Sequence, residues 1–253
     1  QATCKQMLWN RSDSLSNMDN IQLTASCFRD TLPFLLTARK SDGNNQDNIN
    51  LRGVFMANPS YYDLHFNQGI LCFDKEIFHL DSLNYIHFEK KNIQVEHLHF
   101  ASENQSIAID GNYSSSLPMR LNFDIHQLNM GEFAWLMKPF KIHAEGIANG
   151  TMTLLRDEHL QFVSQLDIRE FAFNNVPYGS LRLQSNWLDT VQLMDIHALV
   201  QKDSLPAIRM EGNLNPSKKT IDLHGNVQSF DLKSLSPFLN SFTSDIQGNA
   251  SGT

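Results

Sequence analysis

The run Met119-Arg120-Leu121-Asn122-Phe123-Asp124-Ile125-His126 alternates apolar and polar residues over its whole length. Successive side chains of a pleated strand point to opposite faces, so Leu121, Phe123 and Ile125 share one side and the polar residues the other. A helical period does not fit the stretch. Working outward, the same alternation returns at Ile93 and Val95, at Ile107 and Ile109, and at Leu181 and Leu183 ahead of Trp187. It returns again at Ile208 and Met210, and at Ile221, Leu223 and Val227 with Gly225 between. A sheet with one wet and one dry face is usually antiparallel, since parallel sheets are covered on both sides. The reading is an all-β protein with long antiparallel strands.

Turn-forming residues separate these strands: Asp42 to Asn45, Ser114 to Pro118, Asn174 to Gly179 and Asn215 to Lys219. Helix signals are few and short. Asn129 can cap a segment running to Met137, with Glu132 three residues on in the manner of a capping box. Asp231 can cap a second segment to Leu239, which Pro237 should limit. Both are expected as short helices capping the sheet.

The two helix signals belong to a longer repeat. Asn129 and Asp231 lie 102 residues apart, as do Leu121 and Leu223, Ile125 and Val227, Phe133 and Leu235, and Phe140 and Phe242. A G-x-A-x-G-T pattern at Gly146, Ala148, Gly150 and Thr151 returns at Gly248, Ala250, Gly252 and Thr253 with the same offset. Gly111-Asn112 meets Gly212-Asn213 at an offset of 101, and Ile93–His99 meets Val191–His197 at 98. The whole of 1–253 is expected to be one continuous β-repeat segment, with units near 92–190 and 191–253. The second unit is truncated, and residues 1–44 fit the pattern only loosely. A repeat this long is a multi-strand unit rather than a solenoid rung of roughly 20–45 residues. First residue Gln1 and a motif that stops at Thr253 suggest a piece of a longer chain.

Composition narrows the function. A formal net charge of −7 with no dense Lys/Arg run makes nucleic acid a poor partner. Cys4, Cys27 and Cys72 are odd in number and widely spaced, so neither a zinc knuckle nor a redox dithiol is signalled. No apolar run approaches the roughly 20 residues of a membrane helix. His97 and His99 could share a strand face and reach one ion, but no third ligand is in sight. An unbroken strand would put both on the face of Ile93 and Val95; a bulge before His97 would restore Leu98 and Phe100 to the dry side. The G-x-A-x-G segments lack the Lys-Ser or Lys-Thr of a phosphate loop. No nucleophile elbow, zincin motif or paired-carboxylate setting stands out, so no catalytic residue, metal or cofactor is expected.

The order of motifs resembles the TamB family within the wider AsmA-like group of bacterial envelope proteins. The features are strands ending in "IDGNY" (109–113) and "MEGNL" (210–214), then "LNFDIHQLNMGEFAWL" (121–136) and "LHGNVQSFDLKSLSPFL" (223–239), then "AEGIANGTMTL" (144–154) and "IQGNASGT" (246–253). Between them "FAFNNVPYGSLRLQSNW" (171–187) is similar to a strand pair of that family carrying Gly before Trp. The resemblance implies a periplasmic β structure rolled into a U-shaped groove with an apolar interior, anchored in the inner membrane by a segment outside this window. It also implies a role in phospholipid transport or outer-membrane protein assembly, with an outer-membrane barrel protein met through other regions of the chain.

Holding lipid asks little chemistry of a protein. An acyl chain gains about 0.8 kcal/mol for each methylene taken out of water, and the host must offer a dry face without unpaired polar groups. The expected lining is Ile93, Val95, Ile107, Ile109, Leu121, Phe123 and Ile125, joined by Leu181, Leu183, Ile208, Met210, Ile221, Leu223 and Val227. The competing reading is a structural or adhesive β-repeat module whose apolar face is a closed core and whose partners are proteins.

Overall fold

The computed structural model describes residues 18–40, 48–73, 76–114, 118–133, 143–157, 160–188, 191, 193–202, 205–215, 218, 220–231 and 249–252. The chain divides into two compact units, Gln1–His126 and Gln127–Thr253. Both are built from antiparallel strands, so the all-β, antiparallel architecture expected from the alternation is the one observed.

The first unit contains β1 (Met18–Ala25), β2 (Thr31–Lys40), β3 (Asn48–Ala57), β4 (Tyr62–Phe73), β5 (Glu76–Leu80), β6 (Tyr85–Glu89), β7 (Asn92–Ala101), β8 (Ser106–Ser114) and the start of β9 (Met119–Asn129). Consecutive strands pair except at one place: β5 and β6 are both short, and both lie between β4 and β7. The second unit is a simple meander of β10 (Ala144–Arg156), β11 (Leu160–Phe173), β12 (Val176–Leu188), β13 (Leu193–Lys202), β14 (Leu205–Asn215), β15 (Thr220–Asp231) and β16 (Asn249–Gly252).

Local chemistry explains the joints. Asn174 and Asn175 have φ of 47° and 67° between the paired Phe173 and Val176. That is a two-residue hairpin with both central residues left-handed, a conformation Asn tolerates and strand twist favours. The turn expected over Asn174 to Gly179 is therefore confined to its first two residues.

The gap between β5 and β6 is filled by a side chain. Strand β4 pairs with β6 through Tyr62–Leu64 and with β5 through Gly69–Phe73. At the break, the amide of Asn84 accepts from the Phe66 N–H and donates to the Phe66 carbonyl, both at 2.9 Å. Its Nδ2 also donates to the Asp81 carbonyl. Asn84 is completely buried and acts as one rung of the ladder.

The helix expected from Asn129 to Met137 appears in its first residues as a 3-10 turn, Met130–Phe133. Asn129 caps it, its Oδ1 accepting from the Gly131 N–H at 3.1 Å and its Nδ2 donating to Glu132 at 3.0 Å. Residues 134–137 and the segment expected over 232–239 lie outside the described residues, as do Asp42–Asn45 and Cys4. Cys27 is exposed and Cys72 half-buried, and neither forms a disulfide.

Candidate functional site

Antiparallel partners face the same side, so the pairing register shows which side chains collect together. In the first unit one row crosses eight strands: Leu23, Leu36, Leu51, Gly69, Leu80, Phe100, Ile107 and Ile125, each opposite the next. The neighbouring rows are equally apolar. Ile86 meets Val95, and Leu98, Ile109 and Phe123 follow one another across β7, β8 and β9. The opposite face carries Asp63, Gln94, Asn122, Asp124 and His126.

The second unit repeats the arrangement. Ala148, Ile168, Leu181, Val200, Ile208, Val227 and Gly252 form one row, and Gly150, Leu166, Leu183, Ala198, Met210 and Gly225 the next. A third contains Met152, Ser164, Ser185, Ile196, Gly212 and Leu223, and Ile221 stands opposite Leu214. The only polar side chains in these rows bond each other: the Ser164 and Ser185 hydroxyls are 3.0 Å apart, and Ser185 donates to the Phe162 carbonyl. The reverse face is charged, with Arg182 paired to Asp167 at 2.8 Å and His197 to Asp195 at 2.7 Å.

All seven first-unit residues expected to line a dry surface thus share one face of that unit's strands, and in the second unit Leu181, Leu183, Ile208, Met210, Leu223 and Val227 share one face. Their burial is uneven. Val95 and Ile125 are buried, most of the others are half-covered, and Met210 and Leu223 are 37% and 44% exposed. One compact hydrophobic cluster forms where Tyr178 and Val200 gather Phe171, Leu181, Ile208 and Val227. Burial raises the Tyr178 hydroxyl above its ordinary pKa. Among the described residues of each unit, no α-helix and no second sheet lies over the apolar face. At one margin of the first unit Tyr62, Phe88, Ile93 and Tyr113 form a row; Tyr62 and Tyr113 are 50% and 45% exposed, and Tyr62 stacks on Phe55. Tyrosine suits such a boundary, with its ring on apolar neighbours and its hydroxyl in water.

Bulges keep the faces in phase. The pairing slips by one residue between Val95 and Leu98, where His97 has φ of 50° and its N–H donates to Asp110 Oδ1 at 2.7 Å. The bulge needed before His97 is therefore present, and Leu98 and Phe100 return to the face of Val95. His97 is exposed within the bulge, whereas His99 sits opposite Ala108 on the polar face. Gly111, beside Asp110, has φ of 125°, and a Cβ there would collide with the Arg120 carbonyl oxygen.

Register also corrects one correspondence drawn from the sequence. Val95 opposes Gly111 and Ile196 opposes Gly212, so with the glycines equated the offset between β7 and β13 is 101 at Val95 and, past the extra residue of the bulge, 100 from His97 onward, not 98. The counterpart of His97 beside Asp110 is then His197 beside Glu211, both pairs at 3.9 Å, rather than Asp195. The β8–β9 and β14–β15 pairs match position for position: Ile107 with Ile125 and Gly111 with Leu121 in one, Ile208 with Val227 and Gly212 with Leu223 in the other.

A polar cluster missed in the sequence lies on the other face of the first unit. Asp63 is buried, its carboxylate 2.6 Å from His87 Nδ1. Tyr85 donates to the same carboxylate, and that bond, with burial and the Asp63 charge, pushes its pKa up to about 12. Tyr61 packs on the His87 ring. Among the described residues no serine, threonine or cysteine is seen bonded to His87, and the cluster reads as a rivet between β4 and β6. Among the described residues no three His, Cys, Asp or Glu side chains converge as metal ligands, and no helix is long and apolar enough to cross a membrane.

Compared with models of known families, with curated proteins and with solved structures, the chain matches none.

Proposed function

We propose that this chain is a non-enzymatic segment that holds the acyl chains of lipid on the apolar faces of its two units. The observation that carries the reading is the one-sidedness of the strands in each unit. Row after row of aliphatic side chains faces one way, and among the described residues neither an α-helix nor a second sheet packs on them, although central positions such as Ile168 and Val200 are buried. The exposed positions on these faces, Leu23, Met210 and Leu223 among them, retain favourable free energy for a hydrocarbon partner. About five methylenes withdrawn from water give about 4 kcal/mol. Backbone groups paired in the ladders bond each other, so an acyl chain lying over them meets no bare backbone donor. The motif order resembling TamB and AsmA-like proteins points the same way. It suggests a periplasmic conduit or scaffold in outer-membrane biogenesis, with phospholipid as cargo.

The test is photocrosslinking of an acyl-labelled phospholipid to the purified chain, with mass spectrometry of co-purified lipid. Leu223→Asp, at a half-exposed position on the apolar face, should abolish crosslinking while the far-UV circular dichroism stays native. Reproducible absence of phospholipid, with Leu223→Asp unfolding the second unit, would instead support a closed β-repeat module that binds protein.

A further inference from the structure

We propose that Arg156 is a headgroup site, binding the phosphodiester of an anionic acyl lipid whose tails lie along β10 and β11. The inference rests on the lipid-holding reading and adds a specificity to it. Strand alternation on β10 puts Met152, Leu154 and Arg156 on one face, opposite Ser164, Phe162 and Leu160 in turn. Arg156 is the last paired residue of the strand, so the cation stands where an apolar track ends. Its Nη2 atom is buried and has no hydrogen-bond partner among the described residues. A buried cationic donor without a partner calls for an oxyanion. The planar fork of Arg fits two phosphate oxygens at once, and such charge-assisted bonds are the strong ones in a dry setting.

Long-range attraction does not account for the site. The chain has a net charge of −7, and an anion approaching it is repelled overall. A local cation flanked by Leu154 and Phe162 instead selects a molecule that is anionic at one end and greasy at the other.

Binding to the whole purified chain is measured with pyrene-labelled phosphatidylglycerol and with pyrene-labelled diacylglycerol of identical tails. The wild type should prefer the phosphatidylglycerol. Arg156→Gln should weaken that lipid about ten-fold or more and leave diacylglycerol within about two-fold, while Arg156→Lys keeps part of the preference. Equal loss of both probes in Arg156→Gln, or no change in either, would overturn the headgroup site while leaving the apolar track in place. Displacement of the labelled phosphatidylglycerol by millimolar inorganic phosphate would reassign Arg156 to a free anion and overturn the lipid assignment. Failure of the wild type to bind either probe would overturn the lipid-holding reading as well.

Discussion

Replacing Asn84 by alanine should loosen the first unit at the seam between β5 and β6. The side chain is wholly buried, and its amide serves both the N–H and the carbonyl of Phe66 at 2.9 Å, together with the Asp81 carbonyl. Neither short strand supplies a partner to β4 at Phe66 on that side. Truncation strands three backbone groups, and each buried group left unpaired costs about 1–3 kcal/mol. The expected loss is about 2–5 kcal/mol, with a water molecule entering the vacated space setting the lower end. Hydrogen exchange read by mass spectrometry on peptides spanning 62–73 is the direct assay, because the damage is local. Protection there should fall by about 30-fold at least, since 1.36 kcal/mol is a factor of ten. Asn84→Asp should be no better at neutral pH, because a carboxylate would then face two carbonyl oxygens. It should recover part of the loss in acid, where a protonated carboxyl can donate one hydrogen bond. A loss under about 1 kcal/mol for Asn84→Ala, or unchanged exchange at Phe66, would refute the idea that this side chain stands in for a strand residue.

Two other outcomes follow from the geometry. The Tyr85 phenol should titrate near pH 12 in ultraviolet absorbance, and Asp63→Asn should bring it back toward 10; because the folded value is the higher one, the stabilisation is complete below about pH 10 and is lost as pH climbs through 12. Gly111→Ala combines a φ of 125° with a Cβ driven into the Arg120 carbonyl and should cost more than about 2 kcal/mol in urea titration, whereas Gly252→Ala, with nothing within 4 Å of its Cβ, should stay within about 0.5 kcal/mol of the wild type.

The strands were legible because alternation is a direct image of the pleat. Leu121, Phe123 and Ile125 could be placed on one face from their spacing, and pairing puts them there. The link from β7 to β13 was less legible, because a fixed offset assumes strands without bulges. His97 breaks that assumption, and its signature is only two polar residues where one was due. Asn84 was illegible, since a side chain replacing a backbone rung leaves no periodic trace. Asp63, Tyr85 and His87 were missed for a related reason: they meet across β4 and β6, which are paired over only three residues. Arg156 had a faint signal, a charge at the position where Met152 and Leu154 predict another apolar residue.

The slips in pairing at Val95–Leu98 and at Ile168–Phe171 have an evolutionary consequence. An inserted residue would normally turn every later side chain inside out. A bulge, locked by an Asx side chain at Asp110 or accommodated beside Gly146 and Gly179, confines that error to a single kink. Such a chain can lengthen or shorten its strands over time while its greasy side stays greasy.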